Sequence, residues 1–112
     1  MAKAPPSAAR NRIQSYFPAL VEYTNDTIYG DLWERKGLSK RDRSLITVAA
    51  LVATHRPVQL NTHVKRALDN GVTKEEIAEI VTHMAFYAGW PTAMTAAHVA
   101  VDVYEGDTDA PA

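Results

Sequence analysis

Apolar residues along this chain recur at three- and four-residue steps, the spacing of a helix with one buried face. Phe17, Val21, Thr24 and Ile28 share such a face. So do Leu45, Val48, Ala49 and Val52, then Leu60, Val64, Ala67 and Leu68, and then Ile77, Ile80, Val81, Met84 and Ala88. Ala93, Ala96, Ala97 and Ala100 form a stripe of small residues suited to close helix approach. No stretch alternates apolar and polar with the period of two that a strand requires. The pattern predicts an all-α fold, a compact bundle of five to six helices joined by short turns.

Punctuation places the helix ends. Pro18 suits a first turn, and Gly30 suits the end of the helix it opens. Asp31 to Lys36 is a short connection carrying Trp33 and Glu34. Ser39-Lys-Arg-Asp42 and Thr73-Lys-Glu-Glu76 both read as capping boxes. The first opens a helix running to about His55, and Pro57 begins the next, which stops at Asn70-Gly71. Gly89-Trp90-Pro91 is a break, with Pro91 as the first residue of a final helix closed by Gly106. Residues 1–8 are expected to be a disordered start, 9–106 a single domain, and 107–112 a disordered tail.

Composition narrows the chemistry. The chain has 112 residues and a formal net charge of −1, so no broad basic field is available for a nucleic-acid backbone. It has no cysteine, which removes disulfides, thiolate nucleophiles and thiolate metal ligands. The N-terminus lacks the apolar core of a signal peptide, and the most apolar run, 45–53, is too short to span a bilayer. A cytoplasmic protein with no membrane partner is the expectation. A domain of this size with several amphipathic faces is expected to self-associate.

Two histidines stand out. His63 lies at the edge of the Leu60–Val64–Ala67 stripe, where it is either a core-edge imidazole or a site residue. Glu79, His83 and Tyr87 follow at four-residue steps as a titratable ridge, either a solvated face or part of a site. Arg43, one turn into its helix, is either a surface cation or a carboxylate clamp. Arg56 reads as structural, beside the C-terminal carbonyls of its helix. No histidine pair has helical zinc spacing and there is no HExxH, so no metal site is expected.

The runs "RDRSLIT", "NGVTKEEIAEIVTH" and "YAGWP", in that order and spacing, resemble the carboxymuconolactone decarboxylase family over roughly residues 30–105. The resemblance implies an alkylhydroperoxidase D-like helical bundle. The peroxidase branch of that superfamily carries Cys-x-x-Cys-x-x-x-His. With His63 as the histidine, Arg56 and Gln59 stand at the cysteine positions, and the relay glutamate falls near Ser44. Thiol chemistry is therefore excluded in this chain. The decarboxylase branch implies conversion of γ-carboxymuconolactone to 3-oxoadipate enol-lactone in protocatechuate degradation, with no metal or organic cofactor. It also implies trimers or hexamers (trimers of dimers), with pockets between subunits. On this resemblance His63 and His83 become the candidate catalytic residues, Arg43 the carboxylate clamp, and Tyr87 and Trp90 the pocket-shaping residues. A lactone isomerase or hydrolase, and a non-catalytic oligomer binding a small acidic ligand, are the alternative readings.

Overall fold

The computed structural model describes residues 7–106, all helix and connection, with no strand among them. The expectations for residues 1–6 and 107–112 lie outside the described residues. The first helix already starts at Ala8, inside the stretch read as a disordered start: Ser7 Oγ accepts from the Arg10 amide at 3.2 Å and caps α1 (Ala8–Ile13).

Pro18 opens α2 (Pro18–Tyr23), which then widens into a π-helical turn over Thr24–Tyr29 instead of continuing as one α-helix. The Thr24 hydroxyl donates to the Leu20 carbonyl at 2.8 Å, and the Thr24 amide reaches both Leu20 and Val21. That local competition for carbonyls is a recognised cause of a disturbed ladder. Gly30 follows because any Cβ there would lie 2.5 Å from the Asp26 carbonyl oxygen. A 3₁₀ turn, Leu32–Glu34, carries Trp33.

Four longer helices complete the bundle: α3 (Lys40–Ala53), α4 (Pro57–Asp69), α5 (Lys74–Ala88) and α6 (Trp90–Tyr104). Thr73 and Glu76 form both halves of the expected capping box. Only half of the other forms. Ser39 Oγ accepts from the Asp42 amide, but the shorter Asp42 carboxylate lies 3.5 Å from Arg41 instead of reaching back. The last helix begins at Trp90, with Pro91 in its first turn. Two turns close their helices in the same way. At the end of α4, Gly71 (φ 96°) donates to Leu68 and Val72 to Ala67. At the end of α3, His55 takes the left-handed position (φ 55°), donating to Val52 while Arg56 donates to Leu51. The backbone of Arg56 thus supplies the structural role expected of it.

Both α3 and α6 contact α4 and α5. Val48, Val52, Leu60, Val64, Ala67, Val72, Ile77, Ala96 and Ala100 make the core. The alanines let α6 approach closely, as their spacing predicts. Leu60 is 2% exposed at the centre of this cluster. Replacing it with alanine removes packed methyl groups from a site walled by helices on several sides. Leu60→Ala is expected to cost about 2–5 kcal/mol of unfolding free energy, read from urea denaturation, with the helical circular dichroism retained in buffer. A loss below about 1 kcal/mol would mean that α4 is not packed as described.

Candidate active site

Burying one stripe of α4 sets the direction of the next. Gln59, Thr62, His63 and Arg66 follow one another at helical spacing, beside the buried Leu60, Val64 and Ala67. All four line one cavity of about 340 Å³. Its other walls are α1, through Arg10, Arg12 and Ile13, and the π-turn, through Thr24 and Tyr29. A second cavity of about 270 Å³ lies beyond Tyr29 and Arg66 and is lined also by Trp33, Glu34, Lys40 and Asp69. Tyr29 and Arg66 are thus common to both.

Aromatic contacts hold the site in shape. Trp33 stacks on His63 with ring centres 6.3 Å apart and meets Tyr29 at a tilt, 6.0 Å away. Arg66 donates to the Tyr29 hydroxyl and lies over its ring, 4.5 Å from the centre. Arg10 lies over the same ring at 4.8 Å, and its Nη1 donates to Asn25 Oδ1 at 3.1 Å. The widened turn that carries Asn25 and Tyr29 therefore serves both arginines.

His63 is half-buried, and its Nδ1 is shielded with no hydrogen-bond partner. Thr62 Oγ1 beside it is also buried and unpartnered. Burial, and secondarily the charge of Arg66, push the imidazole down from 6.5 to about 4. The sequence suggests a proton donor titrating near neutrality; in this pocket the ring is neutral there.

The remaining sequence candidates stand elsewhere in the chain. His83 is exposed on α5 and stacks on Tyr87, ring centres 4.7 Å apart. It borders a shallow cleft with Ala49, Glu79, Ile80 and Met84. Tyr87 is 78% exposed, and Trp90 packs edge-on against Phe86 at 5.6 Å. Arg43 donates from Nη2 to the Arg35 carbonyl at 3.1 Å, holding the connection before α3. Of the five candidates, only His63 lines the α4 cavity. Sequence reading missed Arg66, although the 59-62-63-66 spacing could have revealed it. Tyr29 and Arg10 carried no such signal, because only the fold brings them to α4. Among the described residues, no group of three or more His, Cys, Asp or Glu side chains could hold a metal ion, and no helix is long and apolar enough to cross a membrane.

The cavity on α4 thus brings together one imidazole, one phenol and three arginines. The carboxymuconolactone decarboxylase family model matches residues 18–102, and the chain belongs to that family. It is 40% identical over 77 residues to a 4-carboxymuconolactone decarboxylase of Acinetobacter baylyi, covering 69% of this chain and 58% of that protein. It is 36% identical over 75 residues to a nitrosuccinic acid decarboxylase of Metarhizium robertsii, covering 67% and 52%. An uncharacterised 15.0 kDa protein of Paracoccus denitrificans is 37% identical over 79 residues, covering 68% and 58%. The matches thus span little more than half the length of each of these curated relatives.

The depressed His63 has a consequence for stability. The folded chain keeps it neutral down to about pH 4, while the unfolded imidazole takes a proton below about 6.5. Stability from this group is therefore lost as pH falls from 6.5 to about 4, and nothing more is lost below that. The whole shift corresponds to about 3 kcal/mol, reduced to roughly 1–2 kcal/mol by the ring's partial exposure. Urea denaturation of the wild type and His63→Gln at pH 7.5 and 4.5 checks this. The wild type should lose more stability over that interval, by roughly 1–2 kcal/mol. Equal losses in the two proteins refute the buried-neutral assignment.

Proposed function

We propose that this chain catalyses decarboxylation of a small lactone carboxylate, with γ-carboxymuconolactone as the substrate and 3-oxoadipate enol-lactone as the product. The observation that carries the reading is His63, half-buried and neutral, in one cavity with Arg66 and Tyr29. Family membership and the two relatives named as decarboxylases support it.

The substrate explains why so few groups suffice. When the carbon–carbon bond to the carboxylate breaks, its electron pair moves through the ring double bond into the lactone carbonyl. The substrate is its own electron sink. CO₂ leaves, a dienolate forms, and one proton must then reach carbon. Arg66 holds a carboxylate through charge-assisted hydrogen bonds. The Tyr29 hydroxyl stands beside it to steady negative oxygen. His63 supplies the proton. An anion at Arg66 offsets the lesser of the two causes that depress the imidazole, which favours proton uptake by His63 on binding; that proton then goes to carbon. Because Nδ1 is buried, we assign the contact to Nε2.

Incubation of the full chain with the lactone, followed by ultraviolet loss and CO₂ release, tests the reading. Turnover above the buffer rate is expected. His63→Gln should lower it by about 10²–10⁴-fold, the usual contribution of positioned proton transfer. Isomerised or hydrolysed lactone without CO₂ would favour the alternative chemistries, and binding without turnover a ligand-binding role. His83→Gln should keep turnover near wild type if one chain's α4 cavity holds the chemistry. A loss matching that of His63→Gln would mean that α5 of a second copy completes the site.

The reading includes self-association as a trimer or a trimer of dimers. Phe86, Tyr87, Trp90 and Met94, all more than half exposed, support it as large apolar groups at the α5–α6 junction. Light scattering at micromolar concentration should give a mass several times that of the chain. A stable monomer refutes this part.

A further inference from the structure

We propose that Arg10 is a specificity-determining residue of the α4 cavity: with Arg66 it binds the second carboxylate of a dicarboxylate substrate and discriminates against monocarboxylates. The inference deepens the reading above and rests on the same cavity.

Three observations carry it. First, Arg10 and Arg66 lie against the same Tyr29 ring, at 4.8 and 4.5 Å from its centre. Two guanidinium groups thus meet at one ring on the cavity wall. Burial, together with the charge of Arg66, lowers the proton affinity of the Arg10 guanidinium, although Tyr29 acts in the opposite sense. Second, Arg10 and Arg12 both line the cavity that holds His63, so this wall is cationic where the substrate would lie. A wall with two guanidinium groups around one small cavity matches two carboxylates better than one.

Third, α1 buries no residue of its own. A six-residue helix whose apolar contact is the half-buried Ile13 gains little from packing alone. Its recorded ties to the π-turn run through Arg10, to Asn25 and to the Tyr29 ring. The side chain that faces the cavity is therefore also the one that seats α1 there. Moreover, α1 lies outside residues 18–102, the segment shared with the family. It stands outside the core helices, so a substitution on it leaves the packing of the bundle unchanged.

The test is binding, with turnover as a second readout. Calorimetry of the full chain with glutarate and with butyrate, both unreactive, measures the preference for two carboxylates. We expect the wild type to prefer glutarate, and Arg10→Gln to reduce that preference by about ten- to a hundredfold. Arg10→Lys keeps the charge but not the fork and should fall between. In turnover, the ratio of kcat/KM for the dicarboxylate lactone to that for its monoester should fall by a similar factor in Arg10→Gln. Preserved preference in Arg10→Gln overturns the proposal, as does equal weakening for both ligands, which would mark a structural role. A wild type that does not prefer glutarate overturns it too. Should the chain decarboxylate nothing while Arg10 still governs the glutarate preference, the specificity inference stands and the decarboxylase reading falls.

Discussion

Everything in this molecule depends on the burial of one face of α4. Leu60, Val64 and Ala67 pack into the core with Val48 and Val52 of α3 and with Ala96 and Ala100 of α6. Once that stripe is seated, the helix has no rotational freedom left. Gln59, Thr62, His63 and Arg66 must then face the next sector, and that sector is where α1, the π-turn and Trp33 close in. The C-terminal end is fixed as well. Asn70 Nδ2 donates to the buried Ser44 Oγ at 3.0 Å, tying the end of α4 to α3. Core packing, not any local feature of the site, therefore aims the imidazole.

The electrostatics of the cavity follow from its walls. Three arginines and one neutral histidine line it, whereas the carboxylates Glu34 and Asp69 border the neighbouring space beyond Tyr29. Positive charge on these walls favours anions, while burial first, and the charge of Arg66 second, lower the proton affinity of the imidazole. Under the proposed reading, an anion at Arg66 would weaken the lesser of the two causes that lower the imidazole's proton affinity. The other cause, burial, persists, so the proton remains readily given up. That combination suits a group that must accept a proton on binding and release it to carbon within one turnover.

How much of this was legible in the sequence differed by level. The long helices were readable because their apolar residues recur at the helical period and their ends carry Pro, Gly or a capping residue. The π-turn was not, since it arises from one threonine hydroxyl competing for a carbonyl inside an otherwise helical pattern. His63 was legible as a polar residue bordering a buried stripe. Its proton affinity was not, because that depends on how closely Trp33 and Arg66 approach from other turns and segments. The setting of Arg43 was hidden for a related reason. Its position one turn into a helix suggested anion binding, whereas the Arg35 carbonyl, eight residues earlier, folds back to meet it.

By the resemblance seen in the sequence, a peroxidase relative would carry thiols where this chain has other residues. The positions that would carry the peroxidase cysteines are Arg56, which closes the end of α3 through its amide, and Gln59, on the cavity wall. Near the position of the relay glutamate stands Ser44, 1% exposed and hydrogen-bonded to Asn70. A carboxylate there would be a buried charge facing an amide that cannot neutralise it. A serine makes the joint between α3 and α4 structural. The bundle holds one imidazole at a fixed azimuth, and the side chains around it set its electrostatics. In this chain, part of the surround comes from α1, which buries no residue in the core, so that wall and the core that aims His63 are separate pieces of the structure.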